Sequence, residues 1–189
     1  MKVGLYFGSF NPVHIGHLII ANHIANNNLI DQLWFVVSPQ NPLKSKTQIL
    51  NKYHRKYLID IAIEGEKKLR SSTIEFSLPI PSYTIDTLTY LKDKYPKFIF
   101  SIILGSDSLQ NINKWKSYEL LLEKYQLLVY ERPGFKSENI LRKNIIVLKA
   151  PLLDISSSRI REMIKKGDSI KFLVPDVVKE EIERNHYYK

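Results

Sequence analysis

Apolar positions along this chain follow two rhythms that take turns. Lys2 to Phe7 is a short apolar run stopped by Gly8-Ser9-Phe10-Asn11-Pro12, which predicts a buried strand and then a turn. From Ile15 to about Asn26, Leu18, Ala21, Ile24 and Ala25 recur three to four apart, a helical spacing that Asn26-Asn27-Asn28 ends. Leu33 to Val37 predicts a second strand, and Pro39 to Lys46 a loop punctuated by Pro39 and Pro42. Leu50, Tyr53, Tyr57, Leu58, Ile61 and Ala62 mark the next helix, closed near Gly65. Thr73 to Leu78 alternates Ile74, Phe76 and Leu78, a strand period, and Thr84 to about Tyr95 puts Ile85, Leu88 and Leu91 on one helical face. Phe98 to Leu104, Gln126 to Tyr130 and Asn144 to Leu148 predict three further strands, and Ser157 to Lys166 and Pro175 to Asn185 two closing helices.

Strand and helix alternate without an internal repeat or a low-complexity linker. That order predicts an α/β fold: a Rossmann-like, doubly wound, mainly parallel sheet with helices on both faces and a small helical C-terminal part. One domain over residues 1–189 accommodates it. In such sheets ligands sit beyond the carboxyl ends of the strands, so the loops after the first, second and fourth strands are the places to look for chemistry.

Composition removes several classes of function. The chain has no cysteine, hence no disulfide, thiolate nucleophile or zinc–thiolate site. Its longest apolar run, Leu33 to Val37, falls far short of the roughly 20 residues of a membrane helix, and no signal peptide is visible, so a cytoplasmic location is expected. The net charge of +9 invites a nucleic-acid reading, but the 21 lysines and 7 arginines scatter instead of clustering. A solvated surface explains them better, with a moderate positive field that attracts phosphorylated small molecules. Neither nucleic acid nor membrane is an expected partner.

Four segments carry candidate chemistry. In Gly8-Ser9-Phe10-Asn11-Pro12-Val13-His14-Ile15-Gly16-His17, Gly8 lets the backbone turn sharply close to a ligand. His14 and His17, three apart, share one face of the helix start, where free N–H groups and the positive end of the dipole favour phosphate. A zinc site lacks a third ligand of suitable spacing. In Asp154-Ile155-Ser156-Ser157-Ser158-Arg159-Ile160-Arg161, three hydroxyls and two arginines exceed what an N-cap needs, and arginine early in a helix opposes the dipole unless an anion binds there. In Pro81-Ser82-Tyr83-Thr84, Thr84 reads as an N-cap. In Gly105-Ser106-Asp107-Ser108, Asp107 is placed to accept from ribose hydroxyls, with Trp115 beyond it as a stacking surface for a flat heterocycle. Lys44 and Lys46 lie on the loop after the second strand, within an ammonium's reach of phosphate.

Together these residues resemble the nucleotidyltransferase superfamily, whose patterns are Gly-x-Phe-x-Pro-x-His-x-Gly-His and Ile-Ser-Ser-Ser/Thr-x-x-Arg. Gly8 to His17 match the first; Ile155, Ser156, Ser157, Ser158 and Arg161 match the second, with Arg159 on a variable position. Within the superfamily, Pro81 to Thr84, Gly105 to Leu109, Trp115 and Glu131-Arg132-Pro133-Gly134 are most similar to the bacterial nicotinate-nucleotide adenylyltransferases. Leu43 stands where that family commonly has histidine, and Asn11 where it has aspartate. The resemblance implies ATP and nicotinate mononucleotide as substrates, with Mg2+ arriving on ATP, and nicotinate adenine dinucleotide and pyrophosphate as products. It implies ATP binding by Gly8, Ser9, Phe10, His14, His17, Gly105, Asp107, Ser156, Ser157 and Arg161, of which His14, His17 and Arg161 act in catalysis. Lys44 would touch phosphate, Trp115 would stack on the pyridine ring, and Tyr83 and Thr84 would receive the mononucleotide. Adenylyltransferases acting on nicotinamide mononucleotide or phosphopantetheine share the first pattern. So do class I aminoacyl-tRNA synthetases, through His14-Ile15-Gly16-His17, but this chain lacks their Lys-Met-Ser-Lys-Ser loop.

Overall fold

A computed structural model describes residues 1–39, 49–132, 134–135, 143–149, 151 and 153–189. Six parallel strands form one sheet in the order β3-β2-β1-β4-β5-β6, with β1 Lys2–Gly8, β2 Gln32–Val37, β3 Leu69–Ser72, β4 Ile99–Gly105, β5 Gln126–Tyr130 and β6 Ile145–Leu148. The order reverses between β1 and β4, which lie side by side with Tyr6 opposite Ile103. Their carboxyl ends, Gly8 and Gly105, therefore flank the crevice where such sheets bind ligands.

Alternation along the strands divides the core in two. Tyr6, Phe35, Ile103 and Leu128 face one layer with Ala21 and Ile24 of α1 (Ile15–Ala25), Leu58 and Ile59 of α2 (Lys52–Ala62), Ile160 of α6 (Ser157–Lys166) and Val178 and Ile182 of α7 (Asp176–Arg184). Val3, Leu5, Val36, Ile102 and Leu127 face the other, with Leu88 and Leu91 of α3 (Thr84–Lys94), Leu109 of α4 (Ser106–Gln110) and Leu121 of α5 (Tyr118–Lys124). Both faces are thus covered, as expected of a parallel sheet.

The predicted strand over Thr73 to Leu78 is corrected. The sheet instead takes Leu69–Ser72 as its edge, and Ile74–Ser77 is a 3-10 turn. The buried member of that turn is Glu75, not one of the alternating apolar residues, so the two-residue period is coincidental there. Thr84 is not the N-cap of α3. Tyr83 holds that position, and its side chain makes no capping hydrogen bond. The short α4 and α5 carry too few periods to show in the sequence.

Candidate active site

The first turn is built differently from what its glycine suggested. Gly8 ends β1, and the left-handed residue is Phe10, at φ 45°. A Cβ on Gly8 would lie 2.8 Å from the Phe10 ring, so the glycine makes room for a phenyl group that folds back into the core. Phe10 is buried against Tyr6, Phe35 and His17, which leaves only its backbone to meet a nucleotide. Arg55 holds this turn in place. Its buried guanidinium donates to the carbonyls of Ser9, Ser38 (2.9 Å) and Pro39 (3.3 Å), and its Nε to that of Leu50 (2.8 Å). Burial lowers Arg55 to about 10, which leaves it charged at neutral pH.

His14 and His17 form a reciprocal cap on α1. His14 is the N-cap, with its Nδ1 3.4 Å from the His17 N–H, and His17 Nδ1 is 3.3 Å from the His14 N–H. The two rings stack at 3.6 Å between centroids. Since each Nδ1 accepts, the ring proton of each imidazole sits on Nε2, so the pair presents two N–H donors. Burial, then the nearby Arg132, lowers His14 to about 4, so it is neutral at physiological pH. The expected free backbone at this helix start is largely used already. Ile15 N–H donates to the Leu173 carbonyl at 2.9 Å and His17 N–H to that of His14 at 2.9 Å.

The serine–arginine segment docks on the same turn from the far end of the chain. Ser157 Oγ donates to the Pro12 carbonyl at 2.9 Å, and Arg161 donates through Nη1 to the Asn11 carbonyl at 2.8 Å and through Nη2 to Ser158 Oγ at 3.2 Å. Ser156 is the N-cap of α6, accepting from the Arg159 N–H at 3.3 Å. A small pocket of about 30 Å3 lies where Tyr6, His14, Gly16, His17, Tyr130, Arg132 and Ile155 converge.

A cleft of about 790 Å3 opens on the other side of the crevice. Gly8, Gly105, Asp107, Tyr83, Thr84 and Trp115 line it, with Lys114, Lys116, Glu75 and Ser82. Lys116 bonds Asp86 at 2.8 Å and lies 4.9 Å from the centre of the Tyr83 ring, which ties the Trp115 segment to α3. Gly105 has no space for a Cβ, which would meet Asp107 Oδ1 and come within 2.9 Å of Arg132 Cδ. Asp107 Oδ2 pairs with Arg132 at 3.3 Å, while its buried Oδ1 has no hydrogen-bond partner among the described residues. Among the residues described, Tyr6 and Tyr130 are the ones that line both spaces, and their hydroxyls are 3.2 Å apart. Burial first, and then Tyr130, raises the Tyr6 phenol.

The structure therefore brings His14, His17, Ser156, Ser157 and Arg161 to one rim of the crevice, whereas Gly105 and Asp107, expected with them around ATP, line the other with Tyr83, Thr84 and Trp115. Lys44 and Lys46 lie outside the described residues. Sequence reasoning passed over Arg55, Glu75 and the pairing of Arg132 with Asp107. A charged residue inside a helix or turn looks like surface, and only burial distinguishes it. Among the described residues no group of three or more histidine or acidic side chains converges to hold a metal ion, and no helix is long and apolar enough to cross a membrane.

A parallel sheet whose switch point carries a histidine pair and a converging serine–arginine cluster defines a nucleotidyltransferase. Residues 5–163 match the cytidylyltransferase-like family. Two relatives, each named "probable nicotinate-nucleotide adenylyltransferase", are 48% identical: that of Flavobacterium psychrophilum, covering all of both chains, and that of Cytophaga hutchinsonii, covering all of this chain and 98% of its own. A solved Plasmodium falciparum nicotinic acid mononucleotide adenylyltransferase, complexed with NaAD, superposes with a TM-score of 0.86 at 26% identity, over 99% of this chain and 97% of that one. The chain belongs to the nicotinate-nucleotide adenylyltransferase family.

Proposed function

We propose that the protein transfers the adenylyl group of ATP to nicotinate mononucleotide, forming nicotinate adenine dinucleotide and pyrophosphate. The observation that carries this reading is the meeting of two chain segments nearly 150 residues apart, Asn11-Pro12 with Ser157 and Arg161, beside the histidine pair. A solved relative from Plasmodium falciparum in complex with NaAD, the product of such a transfer, supports it.

In this reading a 5′-phosphate oxygen of the mononucleotide attacks the α-phosphorus of ATP in line. The new P–O bond forms as the bond to pyrophosphate breaks, and no covalent enzyme intermediate is needed. ATP arrives as its magnesium complex, in which the cation neutralises charge on the leaving pyrophosphate. Positioning and charge stabilisation supply the rest of the acceleration. The Nε2–H groups of His14 and His17 donate to α-phosphate oxygens as charge accumulates, and a neutral His14 does so without a change of protonation. Ser156, Ser157 and Arg161 hold the β- and γ-phosphates, Ser157 through its backbone N–H because its hydroxyl is committed to Pro12, and Arg161 through the N–H groups not used by Asn11 and Ser158. The pocket beside the histidines, about 30 Å3 and bounded by Arg132, Pro151, Leu153 and Ile155, is too small for adenosine, so binding there requires movement of these residues. The 790 Å3 cleft has the volume of an ordinary small-molecule site and takes the mononucleotide without such movement. There Trp115 stacks on the pyridine, and the N-terminus of α3 at Tyr83 and Thr84 receives its carboxylate.

Incubation with ATP, magnesium and either the acid or the amide mononucleotide, with mass detection of products, tests the proposal. The acid is expected to be converted with the higher kcat/KM. Equal values, or no dinucleotide from the acid, contradict it.

A further inference from the structure

The cleft contains a buried acidic residue that the reaction does not use. Glu75 is 2% exposed and lies in the 3-10 turn between β3 and α3. Its Oε2 accepts from Ser82 Oγ at 2.7 Å and its Oε1 from Thr87 Oγ1 at 3.0 Å. Thr87 also lies within 3.3 Å of the Tyr83 carbonyl, one turn back along α3. Burying a carboxylate is costly unless its oxygens are bonded, and here hydroxyls from two different segments do so. An apolar side chain of the same size would fill the space but would hold neither segment.

We infer that Glu75 is a positioning residue for the mononucleotide half of the site. One carboxylate clamps the loop that ends at Ser82 to the first turn of α3, and so sets the direction in which the amides at Tyr83 and Thr84 face the cleft. The N-cap Tyr83 makes no side-chain capping bond, and the other tie on this first turn, Lys116 to Asp86, runs to the Trp115 segment and not to the loop that ends at Ser82. Glu75, Ser82 and Thr84 all line the 790 Å3 cleft, and none of them lines the pocket beside the histidines. The clamp therefore acts on one substrate and not on the other. Carboxylate chemistry suits the task, because both oxygens accept, whereas an amide offers one acceptor and one donor.

This inference rests on the mononucleotide occupying that cleft, and the experiment separates the two. Steady-state kinetics with ATP and nicotinate mononucleotide are measured for the unaltered protein, Glu75→Gln, Glu75→Asp and Thr87→Val, with thermal melting of each. Glu75→Gln is expected to raise KM for the mononucleotide about tenfold, with kcat and KM for ATP within about twofold. Thr87→Val is expected to move the same constant in the same direction by less, and Glu75→Asp to recover part of the loss. The double variant Glu75→Gln/Thr87→Val should be less impaired than the product of the two single effects. If Glu75→Gln fails to fold, Thr87→Val, which keeps shape and volume, decides alone. Normal turnover by the unaltered protein with no selective change in the variants, or with both KM values rising together, overturns the Glu75 assignment only. No turnover of the mononucleotide by the unaltered protein overturns the functional reading and this inference with it.

Discussion

The two rims of the crevice are built on opposite plans. The phosphate rim joins the two ends of the chain, Arg161 to Asn11 and Ser157 to Pro12, with Arg55 of α2 bonding the backbone of the same turn at Ser9. The mononucleotide rim is assembled from segments close in sequence, 75–87 and 105–116, held by Glu75 and by the Lys116–Asp86 pair. The first rim is tight, with stacked imidazoles and a pocket of about 30 Å3; the second is open, at about 790 Å3. Such a division suits an adenylyl transfer, in which charge shifts among the reacting phosphates while the pyridine and ribose of the mononucleotide need only to be held in line. Damage to the first rim should therefore appear in kcat, and damage to the second in the KM of one substrate.

The largest effect is expected at His17. His17→Ala removes an imidazole donor from the phosphate rim and should raise the barrier by about 2.7–4 kcal/mol, as the loss of an oxyanion-hole donor does. Pyrophosphate release measured against circular dichroism checks this, and near-full turnover by a folded variant would erase the contrast between the rims.

The next effect sharpens the comparison through pH. Burial holds His14 at about 4 in the folded protein, against about 6.5 when unfolded. Between those values the unfolded chain binds the extra proton, so stability present above pH 6.5 is lost as pH falls towards 4. The loss approaches roughly 3 kcal/mol. His14→Asn keeps a capping side chain without titrating, and its melting temperature should vary less across that window. The mononucleotide rim has no such histidine, so Trp115 variants should keep the pH dependence of the unaltered protein.

The smallest effect is expected at Trp115 itself. Trp115→Ala should cost about 1–3 kcal/mol of stacking, read as a higher KM for the mononucleotide with KM for ATP unchanged. Equal shifts in both constants would show that the rims are not separable.

The same division decides what could be read from the sequence. The phosphate rim was legible because its chemistry requires unusual residues at fixed spacing: a histidine pair after a glycine, and serines and arginines where a helix start disfavours positive charge. The strands were legible wherever both faces are buried, since β1, β2, β4 and β5 are continuous apolar runs. β3 was missed because Leu69-Arg70-Ser71-Ser72 at the sheet edge carries one buried apolar residue. Glu75 and Arg55 were missed for a related reason. Each serves backbone or hydroxyl groups that the fold brings to it, and no spacing in the chain records those partners. The role given to Gly8 changed too: its missing side chain is filled by the ring of Phe10, a contact that chain order alone does not show.

The central claim is that two distant segments close on one triphosphate, and a crystal structure with α,β-methylene-ATP tests it most directly. The prediction is a triphosphate within hydrogen-bond distance of His17 Nε2 on one side and of Ser157 or Arg161 on the other. A triphosphate that touches only one of these clusters, or neither, would contradict the account.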